Sequence, residues 1–172
     1  MDPEAACPAP GLVEGRFTGR QRFQQTIRDL LSAADGAGWK EIIFCDADFA
    51  DWPLGELAVA NSLYNWSKSG RKLTMLAHDF RGVQRAYPRF VKWRQTWDHV
   101  IECRRCVLKG GHASSSLPCV IWTPEWVLHR FEGDHFEAYL GRDAARRFQL
   151  QETLSGFLKI STPGFPATTL GL

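Results

Sequence analysis

Three short apolar runs, separated by two helical segments, dominate the middle of this chain. The pattern reads strand, helix, strand, helix, strand over residues 41–46, 54–69, 72–77, 88–97 and 99–103. Alternation at these lengths favours a parallel sheet, because a right-handed crossover helix packs back onto the sheet it connects. The sequence therefore predicts an α/β fold.

Flanking segments complete this expectation. Thr18 and Gln21 have the spacing of a capping box, so a helix should follow and end near Gly36 and Gly38. Residues 79–87 should form a long loop, since Pro88 suits the first turn of a helix. Residues 118–122 and 125–131 predict a hairpin, 136–140 a further strand, and Asp143 the cap of a final helix. We expect a mixed sheet, parallel in its first half and antiparallel in its second, with helices on both faces.

Length and composition favour one three-layer domain. The chain has 172 residues, of which 44% are hydrophobic, enough for a single buried core. Pro-rich and Gly-rich ends predict a flexible tail over residues 1–16 and a loose tail over 162–172, leaving residues 17–161 as the domain. We expect a cytoplasmic protein with no membrane partner, because neither a secretory signal nor a spanning apolar run is present and the five cysteines are scattered.

The charge balance is nearly even. The formal net charge is +2, so we expect no nucleic-acid partner. Between residues 81 and 109, however, there are eight basic residues and only two acidic ones, Asp98 and Glu102. A solvated helical face is the favoured explanation, and attraction of phosphate is the alternative.

Polar residues gather where the three central strands end. Ligands of parallel sheets bind beyond the carboxyl ends of the strands. We therefore predict a ligand site from seven side chains at these ends: Asp46, Asp48, His78, Asp79, Arg81, Arg104 and Arg105. His78 beside Asp79, with Arg81 nearby, combines a titratable base, a carboxylate and a guanidinium that can bind phosphate. For the individual residues the favoured explanations are that one of the aspartates caps the next helix or bonds loop amides, and that His78 belongs to an ion-paired loop.

The positions of the cysteines give little support for redox chemistry or for a metal site. Cys103 and Cys106 should lie on and after a strand, whereas a redox C-x-x-C motif begins a helix. A closed zinc site is the less favoured alternative to buried free thiols, with ligands Cys103, Cys106, His112 and Cys119. No nucleophile elbow, P-loop, dinucleotide fingerprint or H-E-x-x-H motif is present, so we expect no metal and no cofactor.

The order of elements resembles one half of a phospholipase D-like domain. The resemblance rests on the strands at residues 42–46, 73–79 and 100–104 and on the hairpin at 119–129, within residues 20–160. It is closest to small bacterial proteins of unassigned function that keep this fold as a single degenerate half.

The resemblance also implies where catalysis would lie. The family motif, His-x-Lys-x4-Asp, is placed on the strand that opens the hairpin. Here Ser116 stands at the His position, Pro118 at the Lys position, and Trp122 or Thr123 near the Asp position. Sliding His112 onto the first position leaves Ser114 and Cys119 at the others. The resemblance therefore argues against phospholipase activity while retaining a cleft suited to phosphate.

Three functional hypotheses follow. The leading one is binding rather than turnover, of a small anionic or phosphate-bearing ligand held by Arg81, Arg104 and Arg105 with His78. The second is a hydrolase with an acid-base or metal site at the strand ends. The third is a structural or interaction module in which the aromatic surface of the Trp52 and Trp93 helices meets a partner or a second copy, as in a homodimer.

Overall fold

The structure is a computed structural model that describes residues 11–69, 71–108 and 116–166. Its helices are α1 (Arg20–Ala37), α2 (Leu57–Ser67), α3 (Arg81–Ala86), α4 (Pro88–Thr96) and α5 (Ala144–Ile160). Its strands are β1 (Gly15–Phe17), β2 (Glu41–Cys45), β3 (Lys72–Ala77), β4 (Ile101–Arg105), β5 (Cys119–Trp122), β6 (Val127–Arg130), β7 (Ala138–Gly141) and β8 (Thr162–Pro163).

All eight strands belong to one sheet, in the order β1-β7-β6-β5-β2-β3-β4-β8. β2 pairs with β3, and β3 with β4, in parallel. Every other neighbouring pair is antiparallel. The predicted mixed sheet is therefore confirmed, and the three parallel strands end at the same edge.

Helices cover both faces of the sheet, which confirms the three-layer prediction. Side chains alternate between faces along each strand, so Ile42 and Phe44 join one core cluster whereas Ile43 and Cys45 join the other. The first cluster is covered by α1, α2, α3 and α4. The second is covered by α5, through Leu150 and Leu154.

The sequence prediction for α1 is wrong at the N-cap and correct at the C-cap. Its first residue is Arg20 and its N-cap is Gly19, with no side-chain cap, so the capping box predicted at Thr18 is wrong. Gly38 does provide the C-cap. Its φ of 71° lies in the left-handed region, and its N–H donates to the carbonyls of Ala34 and Asp35.

The long loop predicted over residues 79–87 is also wrong, because α3 occupies most of it. The Asp79 carboxylate accepts the backbone N–H of Arg81, at 2.8 Å, and so satisfies an amide in the first turn. Val83 anchors the helix in the core. A single buried residue in a six-residue helix gives no periodic signal, which is why the sequence pattern missed it.

Other predicted bounds shift by a few residues. α2 begins at Leu57 rather than at residue 54, and β4 spans Ile101–Arg105 rather than 99–103. β3 and the cap of α5 by Asp143 are as predicted.

Residues 11–16 and 162–166, the described parts of the two predicted tails, contribute to the fold, and the rest of each tail lies outside the described residues. Leu12 is buried, and β1, which begins at Gly15, pairs with β7. At the other end β8 pairs with β4 and Phe165 is buried against Phe80. The predicted boundaries at residues 16 and 162 are corrected accordingly. Across the described ranges, no helix is both long and apolar enough to cross a bilayer.

Candidate functional site

The carboxyl ends of β2, β3 and β4 bring most of the predicted residues to one edge of the sheet. Asp46 and Asp48 follow β2, His78 and Asp79 follow β3, and Arg105 ends β4. The edge is divided into two groups of contacts, one around Asp46 and the other around Asp79.

Asp46 and Asp48 serve the loop that follows β2. Asp46 is only 5% exposed, and its carboxylate accepts the backbone N–H of Phe49 at 2.8 Å. Phe49 has a φ of 59°, a left-handed conformation that is strained for a bulky residue. The Asp48 carboxylate accepts the N–H of Ala50 at 3.0 Å. Both aspartates therefore bond loop amides, an explanation that the sequence favoured for one of them.

The Asp46 side chain is also part of an ion cluster, here called the Asp51 cluster, formed by Arg20, Asp46, Asp51 and Arg130. Asp51 lies 3.1 Å from Arg20 and 3.2 Å from Arg130, and Asp46 lies 3.8 Å from Arg130. Burial raises the pKa of Asp46, while its hydrogen bond from Phe49, the thiol of Cys119 and the Arg130 charge oppose the increase. Sequence reasoning missed this cluster, because Arg130 and Asp51 are 79 residues apart in the chain.

The second group lies at the ends of β3 and β4. Asp79 accepts from Arg81 Nε at 2.8 Å, and its hydrogen bonds with Arg81 lower the pKa of Asp79 to about 2. Arg105 also lowers the pKa of Asp79 through its charge, and Arg105 Nε donates to the carbonyl of His78 at 3.2 Å. His78 Nδ1 is 2.6 Å from the carbonyl of Cys106. The structure thus brings His78, Asp79, Arg81 and Arg105 together.

Arg104 does not join them. Adjacent strand residues point to opposite faces, and Arg104 Nε and Nη2 donate to Ser161, at 2.9 and 2.6 Å, beside the end of α5. The predicted trio of Arg81, Arg104 and Arg105 therefore does not converge on one ligand.

Among the described residues at this edge, each side chain of the hydrolase hypothesis is held by another contact. Asp46 and Asp48 are held by loop amides, while His78 contacts a carbonyl and Asp79 an arginine. Within the described ranges, no three His, Cys, Asp or Glu side chains come together as a metal site.

The zinc set is dispersed as well. Cys103 packs in the core cluster under α1–α4, whereas Cys106 packs in the cluster under α5. Cys119 lies on β5, which β2 and β3 separate from β4, and His112 lies outside the described residues. Burial raises the pKa of Cys103 to about 12, as expected for a thiol that behaves as a small apolar side chain.

Four residues of the basic stretch are exposed on α3 and α4 and are here called the basic face: Arg81, Arg85, Arg89 and Lys92. Neither helix contains an Asp or Glu. Arg94, by contrast, is buried and bonded to Asp98 and to the carbonyl of Phe165. Arg89 donates to the carbonyl of Gly55, and Arg81 pairs with Asp79. Arg85 and Lys92 have no side-chain partner among the described residues.

Trp52 and Trp93 contribute little to the predicted aromatic surface. Trp52 is 2% exposed and Trp93 is 5% exposed, so both belong to the core. Trp52 packs against Phe49 and Phe44 with ring centroids 4.8 and 5.2 Å apart. The exposed large apolar side chains near these helices are instead Leu57 and Tyr64, on α2.

A cavity of about 670 Å³ lies at the β4 edge of the sheet. Four cations line it, but each contacts a carboxylate: Arg71 with Asp35, Lys72 and Arg104 with Glu102, and Arg94 with Asp98. Three carboxylates therefore offset most of the positive charge at this cavity, whereas Arg85 and Lys92 have no carboxylate partner among the described residues.

Comparison with known proteins gives structural neighbours only. No family model matches the chain, and no curated protein matches its sequence. Among solved structures, it is similar to TrmBL2, an archaeal chromatin protein with a novel mode of DNA binding, with a TM-score of 0.63 and 13% identity over 92% of this chain. This chain spans 56% of the length of TrmBL2.

Two further neighbours match over nearly their whole length. NucT from Helicobacter pylori has a TM-score of 0.61 and 10% identity, covering 88% of this chain and 98% of NucT. Nuc from Salmonella typhimurium, a phospholipase D family member, has a TM-score of 0.54 and 12% identity, covering 87% of this chain and 97% of Nuc.

These neighbours correct one prediction and support another. The expectation of no nucleic-acid partner is contradicted, because a protein with a similar fold, TrmBL2, binds DNA. An almost even net charge is no guide here, since it averages the basic face with compensated clusters elsewhere. The element order and the neighbours agree on the architecture that the sequence predicted: this chain has a phospholipase D-like fold.

Proposed function

We propose that this chain is a nucleic-acid-binding domain, built on a catalytically degenerate phospholipase D-like fold, that holds phosphates on the basic face. One observation carries the proposal. α3 and α4 expose Arg81, Arg85, Arg89 and Lys92. Of these only Arg81 pairs with a carboxylate among the described residues, that of Asp79.

Uncompensated charge has a physical consequence. Like charges on one surface repel one another, so their presence costs stability unless an anion binds there. Nucleic acid presents a regular row of phosphates, and each phosphate that a Lys or Arg neutralises releases condensed counterions and favours binding. Arg85 and Lys92 are the best placed, because neither has a side-chain partner in the described part of the chain.

The hairpin supports binding rather than turnover. Pro118, at the position of the family's Lys, carries no charge for a phosphoryl oxygen. Thr123, near the position of the family's Asp, uses its Oγ1 within the turn, donating to the carbonyl of Trp126 at 2.9 Å and accepting its N–H at 2.8 Å. Ser116, at the His position, contacts Glu132.

TrmBL2 adds support of another kind. It binds DNA and shares this architecture, so the fold is compatible with holding nucleic acid. At 13% identity, the neighbour does not say which surface is used. That assignment rests on the basic face alone.

The test is the affinity of the chain for a fluorescent oligonucleotide, measured by anisotropy between about 50 and 200 mM salt. The double variant R85A/K92A should bind at least about tenfold more weakly. Its dependence of log K on log[salt] should be shallower by about 2 for duplex DNA, as expected when two phosphate contacts are lost.

The matched control is R22A/K40A. It removes one Arg and one Lys that are also exposed but lie on α1 and before β2, away from the basic face. Control and wild type should have the same salt slope. Equal weakening by both double variants would mean that only net charge matters, and would overturn the assignment of the basic face.

A further inference from the structure

A groove of about 350 Å³ runs between α2 and α4, next to the basic face. Trp93 and Trp97 line it from the α4 side and Ala60 from α2. The groove belongs to neither the carboxyl edge of the sheet nor the hairpin where the family motif would lie. No part of the proposed phosphate contacts requires its apolar lining.

Two large side chains at this groove are exposed to solvent. Leu57 is 59% exposed and Tyr64 is 48% exposed, and both line the groove. The Tyr64 ring meets Trp97 edge-on, with centroids 5.7 Å apart, and Lys68 Nζ lies 4.7 Å from the Tyr64 ring centroid. An aromatic ring is thus held in place and half open to solvent.

The rim of the groove is positive. Arg89 and Lys92 line it directly, and Lys68 lies one helical turn beyond Tyr64. No Asp or Glu is among its lining residues. An occupant that matches this surface combines an apolar, flat portion with negative charge.

We infer that the groove takes an unstacked base of single-stranded nucleic acid, with the adjacent phosphates on Arg89 and Lys92. This inference rests on the proposed function and adds a substrate class to it. Base–aromatic stacking tolerates any sequence because every base has a π-face, and it accompanies basic grooves in proteins that bind single strands. In a duplex, the base faces are covered by neighbouring base pairs, so a duplex reaches only the phosphate contacts.

The experiment compares a single strand with a duplex of the same sequence and length. 2-Aminopurine at the centre of the single strand reports stacking through its fluorescence. Wild type should prefer the single strand and should change the 2-aminopurine signal. Y64A should bind the single strand roughly five- to a hundredfold more weakly, leave duplex affinity unchanged and lose the fluorescence change.

Y64F is the matched control, because it keeps the ring and removes only the hydroxyl. It should retain single-strand affinity and the fluorescence change. Tyr64 is half exposed on α2, so loss of fold is not expected for either variant, and circular dichroism checks this.

The outcomes separate the two proposals. Equal affinity for both forms, with no effect of Y64A, would overturn the base site while leaving the basic face intact. If neither the single strand nor the duplex bound, both proposals would be overturned. A concentration-dependent mass that Y64A abolishes, without a single-strand preference, would assign the groove to a second copy and overturn the base site.

Discussion

Two groups of charges lie on the same side of the sheet and differ in one respect. In the Asp51 cluster, Arg20 and Arg130 lie close to Asp51, and Arg130 also lies above the rings of Phe23 and Phe136. On the basic face, Arg85 and Lys92 have neither a carboxylate nor another side-chain partner in the described residues. The first group is compensated within the chain, whereas on the basic face only Arg81 has a carboxylate partner, Asp79, among the described residues.

The difference in pairing predicts that the Asp51 cluster contributes to stability and that the basic face contributes to binding. A charge that is partly buried and paired is costly to leave alone, so removing its partner should destabilise the fold. An exposed charge without a partner contributes little to folding, and it is free to pair with an external anion. Substitutions at Arg130, at the basic face, at Arg28 and at Asp46 test this division between stability and binding, in order of decreasing expected effect.

Arg130→Met should lower the free energy of unfolding by roughly 2–4 kcal/mol, since it leaves buried Asp46 without its cation. The effect is below that for a fully buried pair because the Arg130 side chain is 23% exposed. Urea denaturation measures it. Arg85→Met, which removes an unpaired arginine, should change stability by less than about 0.5 kcal/mol. Equal costs would contradict the division.

Reversing two charges of the basic face should affect binding and not stability. We expect R85E/K92E to weaken oligonucleotide binding by more than about tenfold, or about 1.4 kcal/mol, because repulsion replaces attraction. Anisotropy measures affinity and urea denaturation measures the fold. A large loss of stability would show that these residues have structural partners after all.

Arg28→Ala tests the same division at an ion pair of intermediate exposure. Arg28 Nε and Nη2 each lie 2.7 Å from the Glu56 carboxylate, and this pairing lowers the pKa of Glu56. The loss should be about 0.5–1 kcal/mol, discounted because both side chains are partly exposed. It should shrink as pH falls through the pKa of folded Glu56, since the protonated carboxyl no longer pairs. A pH-independent loss would contradict the ion-pair explanation.

The smallest effect concerns Asp46. Its pKa is raised in the folded state, chiefly by burial, so the folded chain binds this proton more tightly than the unfolded chain, whose aspartates titrate near pH 4. Wild type should therefore lose stability relative to D46N as pH rises from below about 4 through the folded pKa. A constant difference between the two proteins across this range would show that the carboxyl is not perturbed.

The sequence predicted the parts of the fold that depend on local pattern. β3 lies at the predicted apolar run, residues 72–77, and Asp143 caps α5 as expected. It missed α3, because one buried residue makes no periodicity, and it misplaced the tails. Their pairing with β7 and β4 depends on contacts distant in the chain.

The site was harder to predict for a related reason. His78, Asp79, Arg81 and Arg105 were expected to meet and do, because they end adjacent parallel strands. Arg104 was misjudged, although strand alternation places it opposite Arg105. The basic stretch was visible as a count, but only the structure distinguishes buried Arg94 from exposed Arg85 and Lys92.

The most direct test of the basic face is a titration of the isotope-labelled chain with an oligonucleotide, followed by amide chemical shifts. Binding as proposed predicts that the largest changes fall on α3 and α4, from Arg81 to Thr96, with changes near Tyr64 when the strand is single. Changes confined to the β5–β6 hairpin and the loop after β2, with α3 and α4 unaffected, would contradict the account and return the site to the Asp51 cluster.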